Sequence, residues 1–150
     1  IPTPNREIFD ARLRRIGRNA QFLSEKLDAA AQKIEGVVEG VVYPGLSSHP
    51  GYAWSQNLSF CGGYFTFRFR SKYRSVGQYE KFVARVFAIA QKRKVDIIGG
   101  TAFGFNTTRV YVPRLPEPAV VKPFIRVSVG TETILELEAL SEVFIAAMQK

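Results

Sequence analysis

Apolar residues at Phe9, Leu13, Ile16, Ala20, Leu23, Leu27, Ala31 and Ile34 recur at steps of three and four. That is the spacing of one helix face, and it predicts a long amphipathic helix ending at Gly36. The period then changes. In "GGYFTFRFR" (62–70), Phe65, Phe67 and Phe69 alternate with Tyr64, Thr66, Arg68 and Arg70, which predicts a strand with one face in a core. Ser75 and Gln78 have the spacing of a capping box and open a second helix whose stripe is Tyr79, Phe82, Val83, Val86, Ile89 and Ala90. "FNTTRVYV" and "PFIRVSV" predict two further strands, separated by a proline-rich connection from Pro113 to Pro123. Gly130 ends the last strand, and Thr133 with Glu136 caps a third helix with Leu137, Leu140, Phe144 and Met148 on its stripe. The expected fold class is α+β: a small, mostly antiparallel sheet covered by helices on one face and preceded by a long helix.

Composition bounds this picture. With 150 residues, 46% of them hydrophobic, the chain is long enough for one core, and a single domain is expected, with a linking helix over 1–36 and a small α+β domain over 37–150. The lone Cys61 excludes an internal disulfide, and one cysteine with one histidine, His49, is too few soft ligands for a structural zinc site. The expected compartment is reducing and cytoplasmic. No apolar run has the length of a membrane span, and the N-terminus lacks the order of a signal peptide. The chain opens on Ile1 and runs almost at once into its long helix, as a piece of a longer polypeptide would.

The formal charge of +8 raises nucleic-acid binding as a reading. Arg6, Arg12, Arg14, Arg15 and Arg18 cluster in the first helix, Arg68, Arg70, Lys72 and Arg74 in "RFRSKYR", and Lys92, Arg93 and Lys94 at the end of the second helix. Cations in a last helical turn complement the helix dipole and need no partner. In "FRFRSKYR" aromatic and basic residues interleave, as on single-strand platforms. The alternation nevertheless turns the phenylalanines to one side and Arg68 and Arg70 to the other, so nucleic acid is the weaker reading.

Catalytic constellations are few. No Walker-type loop is present, and "GGTAFGF" (99–105) makes neither a GxGxxG before a helix nor the basic start of an RNA-binding strand; its glycines are read as letting a strand bend. His49 and Cys61 stand twelve residues apart and are read as a loop histidine bonded to backbone and an inert cysteine. In "PFIRVSVG", alternation puts Arg126 on the face opposite Ile125, Val127 and Val129, and a guanidinium fork there suits a carboxylate or phosphate.

Three stretches, "VVYPGLSSHP" (41–50), "GGYFTF" (62–67) and "RVSVGTE" (126–132), occur in the order and approximate spacing of the C-terminal part of the Cys/Met-metabolism, or trans-sulfuration, family of pyridoxal phosphate enzymes. The chain resembles that family over most of its length. Cystathionine synthases and lyases, methionine γ-lyase and O-acetylhomoserine sulfhydrylases belong to it. The resemblance implies the small domain of a fold-type I lyase or transferase, closing over an amino acid substrate, with pyridoxal 5'-phosphate held by a large domain and a homo-oligomeric parent enzyme. It makes Arg126 the group that binds the substrate α-carboxylate, with Thr101 and Ala102 beside it. Ala102 stands where the family often has serine, and Thr101 offers a hydroxyl one position earlier. The Schiff-base lysine motif, Ser-x-Thr-Lys, does not occur, so the chain is expected to lack catalytic competence alone. The alternatives are a free-standing binding module derived from that domain, or a basic single-strand-binding α+β domain.

Overall fold

The protein's structure, a computed structural model, describes residues 5–103, 106–113 and 124–149. Gly104, Phe105 and all but Pro113 of the proline-rich connection lie outside the described residues. The first helix, α1, spans Arg6–Lys33, where Asn5 caps the start by accepting from the Glu7 and Ile8 N–H groups at 2.9 and 3.3 Å. It stops one turn earlier than expected, with Ile34 already extended. Its buried stripe begins at Ile16, and Phe9, read as part of that stripe, is 52% exposed. Periodicity fixes a helix face but not how far along the helix a neighbour extends.

Strand β1 (Val38–Val42) follows, then a shaped loop with the single turn α2 (Tyr52–Ser55), and then β2 (Tyr64–Phe69). A 3₁₀ turn leads to α3 (Val76–Arg93), with the Ser75 hydroxyl accepting from Gln78 N–H at 3.3 Å. Two short strands, β3 (Ile98–Gly99) and β4 (Arg109–Tyr111), precede β5 (Arg126–Ser128) and the last helix, α4 (Ile134–Met148). The sheet order is β1-β2-β5-β4-β3, antiparallel except for the β3–β4 pair. The expected α+β architecture is therefore present, as a mixed five-stranded open sheet. The strand that "GGTAFGF" was read to bend is only two residues long and is followed by Gly100 at φ +145°, a backbone shape that L side chains rarely adopt. β1 has no counterpart in the sequence reading, because a bulge between Val38 and Gly40 breaks its alternation.

One sheet face is apolar and covered by helices. Phe67 lies 5.4 Å from Phe82 of α3 and 5.7 Å from Phe144 of α4, and Phe69 lies 4.8 Å from Tyr79, measured between ring centroids. Each buried phenylalanine contributes about 1.5–3 kcal/mol through area removed from water, and each aromatic pair about 0.5–1.5 kcal/mol more. α1 runs along β1 and packs on α4, and its Asp28 carboxylate accepts the Val41 N–H at 2.8 Å. The phenylalanines of "FRFRSKYR" are thus core residues and Tyr73 packs half-buried against them, while Arg68 and Arg74 pair with Glu39 at 3.6 and 3.0 Å.

The turn after β5 ties these layers together. The buried Asn19 carboxamide of α1 donates to the carbonyls of Gly130 and Glu132 at 3.1 and 3.0 Å. The Glu132 carboxylate accepts the Thr108 N–H, and Thr108 Oγ1 accepts the Gly130 N–H at 3.2 Å. A Cβ on Gly130 would collide with the Asn106–Thr107 backbone, so glycine is needed there for close approach.

Asn19→Ala leaves the Gly130 carbonyl without its donor and the Glu132 carbonyl with Arg15 alone, at 3.2 Å. Urea unfolding is expected to show a loss of about 2–4 kcal/mol, with Asn19→Asp worse because a carboxylate has no N–H to give; a loss below about 0.5 kcal/mol would mean that water replaces the carboxamide. A pH series checks the α4 cap. The Thr133 N–H and hydroxyl donate to Glu136 at 2.6 and 2.7 Å and hold its carboxyl below the usual range. A folded-state pKa below the unfolded one gives stability that is present above the unfolded value, about 4.3, and lost as pH falls through the folded value. Glu136→Gln should flatten that part of the acid limb, and superimposable wild-type and variant curves would refute the assignment.

Candidate functional site

Among the described residues the sheet's other face is open, and antiparallel register decides which side chains share it. On the central strand β5, Arg126 stands opposite Thr66 of β2 and Tyr111 of β4, and Ser128 stands opposite Tyr64 and Arg109. The Arg126 guanidinium lies 4.4 Å from the centroid of the Phe103 ring, a cation–π arrangement, and its Nη2 donates to the Thr101 carbonyl oxygen. Phe103 also leans on Tyr64, with centroids 5.7 Å apart. Of the three residues expected to bind substrate, Arg126 and Thr101 are therefore in direct contact, and Ala102 lies between Thr101 and the ring that covers Arg126. Arg126 Nε and, on the same face, Ser128 Oγ are buried without a hydrogen-bond partner among the described residues. A guanidinium edge presents the parallel N–H donors whose geometry matches a carboxylate or phosphate.

Thr66 continues the face into a neighbouring cavity of about 260 Å³, lined by Val42, Pro44, His49, Cys61, Tyr64 and Thr66. His49 and Cys61 thus meet one cavity, yet each serves the backbone. His49 Nδ1 accepts the Gly51 N–H at 3.0 Å, which puts its hydrogen on Nε2 in the neutral ring, and Cys61 Sγ lies 3.6 Å from the Ser55 carbonyl oxygen. The loop "YPGLSSHP" is held by its buried tyrosine. Tyr43 donates to the Gly62 carbonyl at 3.1 Å, and burial, then the nearby Cys61 and Glu25, push its phenol above the ordinary range. Burial likewise raises Tyr79, against the opposing effect of Arg74.

Pyridoxal phosphate needs a lysine for its imine, a partner for its ring nitrogen and a phosphate cradle. The described residues do not fit that group. Lys26, Lys33, Lys81, Lys92 and Lys94 lie on or directly after α1 and α3, Lys72 sits over Tyr73, and none of these described lysines is on a strand of the open face. Lys26 is itself paired with Glu138. Among the described residues no group of three or more His, Cys, Asp or Glu side chains is placed to hold a metal, and no helix is long and apolar enough to cross a membrane. Sequence reasoning places Ser128 on the face of Arg126 without giving it a role, and it misses Asn19. Asn19 had a signal, because it falls between Ile16 and Leu23 in an apolar stripe.

No family model and no curated protein matches the chain. Solved structures do. The apo methionine gamma lyase of Micromonospora echinospora aligns over 89% of this chain and 32% of its own, with TM-score 0.60 and 25% identity. The cystathionine gamma synthase of Xanthomonas oryzae pv. oryzae, in complex with cystathionine, aligns over 93% and 35%, with TM-score 0.64 and 20% identity. The cystathionine gamma-lyase of yeast aligns over 88% and 34%, with TM-score 0.58 and 20% identity. The chain spans about a third of the length of these structures. Its fold is that of the C-terminal domain of the trans-sulfuration enzymes.

His49→Ala should remove one backbone hydrogen bond and lower stability by about 1 kcal/mol, read from the urea midpoint. A loss above about 3 kcal/mol would mean that the ring holds more of the loop than the Gly51 contact.

Proposed function

We propose that this chain is the substrate-closing domain of a pyridoxal phosphate-dependent enzyme of sulfur amino acid metabolism, a C–S lyase or a γ-replacement transferase. The observation that carries the reading is the position of Arg126: a partly covered guanidinium at the centre of the open face, in a fold shared with the C-terminal third of such enzymes. On this reading the partners are an amino acid substrate, a cofactor-bearing large domain and further copies of the same enzyme. The cofactor's chemistry belongs to that other domain.

This chain's own part is to bind and orient. Arg126 grips the substrate α-carboxylate through its fork, and Nε, which has no partner among the described residues, supplies one of the two parallel N–H donors. The Thr101 carbonyl now occupies Nη2, and a carboxylate displaces it because a charged acceptor makes the stronger bond. Thr101 and Ala102, freed from that contact, line the carboxylate from the other side. Phe103 covers the pair and keeps water from it, which strengthens the charge interaction. Holding the carboxylate fixes the orientation of Cα and of the bond to be broken.

The test joins this chain to its cofactor-bearing domain and measures kcat/KM per bound cofactor together with Tm. Arg126→Ala is expected to lower kcat/KM by on the order of 10²-fold or more, with Tm little changed. Lysine should recover little of it, since a point charge lacks the fork. Normal kcat/KM in Arg126→Ala would assign the carboxylate to another residue.

A further inference from the structure

A cavity of about 270 Å³ lies against the first half of α1, with Arg14, Gly17, Arg18 and Gln21 on the helix side and Ser59 and Phe60 among the residues that line the rest. No acidic residue lines it. Arg14 and Arg18 are one helical turn apart, the spacing that makes two side chains neighbours on a helix surface, and like charges so placed repel.

These two guanidinia stand apart from the other arginines of the chain. Every other described arginine is engaged: Arg6 with Asp10 at 3.8 Å, Arg15 with the Glu132 carbonyl, Arg70 with the Gly36 carbonyl, Arg85 with the Ala147 carbonyl, and the rest likewise. Arg14 and Arg18 are exposed and form no hydrogen bond or ion pair among the described residues. Asp10, one turn before Arg14, pairs with Arg6 instead. The polar groups around the pair divide in two. The Gln21 carboxamide is committed to Glu25 and the Gly45 carbonyl at 2.6 and 2.9 Å, and the Tyr43 hydroxyl to the Gly62 carbonyl. Ser59 is exposed, and its hydroxyl has no partner among the described residues. Phe60 closes the cavity against the helix, for a Cβ on Gly17 would stand 2.8 Å from its ring.

We propose that this cavity binds a small phosphate dianion, inorganic phosphate or the head of a phosphate monoester, held between the Arg14 and Arg18 forks with the Ser59 hydroxyl as a neutral donor. A dianion turns the repulsion of the two arginines into two attractions, and its oxygens match the guanidinium geometry. The volume is smaller than that of a drug-sized site and suits phosphate with a short ester stem. The inference does not rest on the role given to Arg126.

The experiment titrates the 150-residue chain with inorganic phosphate, methyl phosphate and dimethyl phosphate at pH 8, with sodium chloride holding the ionic strength constant. The first two are chiefly dianions there, and the diester is a monoanion. The amide resonances of residues 14–21 and 59–61 and the guanidinium resonances of Arg14 and Arg18 are followed. Both dianions are expected to shift them saturably with Kd on the order of millimolar, and dimethyl phosphate to bind at least about tenfold more weakly. The tighter of the two dianions tells free phosphate from a phosphorylated small molecule as the source, and either order supports the site. Arg14→Gln and Arg18→Gln, at exposed helix positions, should each weaken binding at least about fivefold without lowering Tm. Arg6→Gln removes the same charge from the same helix outside the cavity and should leave Kd within about twofold. The proposal is overturned if neither dianion gives a saturable shift, if the diester binds as tightly as the dianions, or if Arg6→Gln weakens binding as much as Arg14→Gln.

Discussion

Two carbonyls in the turn after β5 have no strand to pair with, and one carboxamide, that of Asn19, takes both. The rest of the domain is arranged around that lock. It fixes α1 to the end of the central strand, and Arg15 adds a second bond from the same helix to the Glu132 carbonyl at 3.2 Å. Through Glu132 and Thr108 the same turn reaches β4. A helix, the central strand and its neighbour β4 thus share one buried polar knot, which low dielectric makes strong when satisfied and costly when cut.

The knot explains why the open face is built as it is. Arg126 is four residues before Gly130 on β5, flanked by β2 and β4, so its backbone is held on both sides. What covers the guanidinium is of another kind: Thr101 and Phe103 belong to the irregular segment after β3, outside the ladder. A cover without ladder bonds can leave a fixed charge without breaking any strand pairing. The opposite face can spare no such freedom, because its Phe65, Phe67 and Phe69 interlock with both α3 and α4.

Much of this was legible in the sequence wherever a short-range rule decided the outcome. The alternation in "GGYFTFRFR" gives the two faces of β2, Thr133 with Glu136 gives the α4 cap, and Arg126 falls on the open face by parity with Val127. The loop "YPGLSSHP" announces a shaped segment, and its histidine serves backbone as expected. Long-range bonds were not legible. Nothing local says that Asn19 would reach Gly130, 111 residues away, or that Glu132, in a motif read for its arginine, would be buried. Phe9 misled for the same reason: the stripe is a property of the helix, while burial is a property of what lies against it. The β1 strand hid behind its bulge.

The two margins of the sheet differ in a way that bears on how the molecule behaves in a crowded solution. On the β1 side α1 intervenes, and Asp28 occupies an outward amide that would otherwise solicit another strand. Among the described residues no strand pairs with the β3 margin, which is two residues long and is followed by Gly100 at positive φ. An incoming extended chain finds rungs for barely one pair of hydrogen bonds there, too few to offset the entropy of ordering it. The domain therefore resists stacking into fibres by brevity on one side and by occupancy on the other, without a proline or a lysine on either outer strand to repel a neighbour.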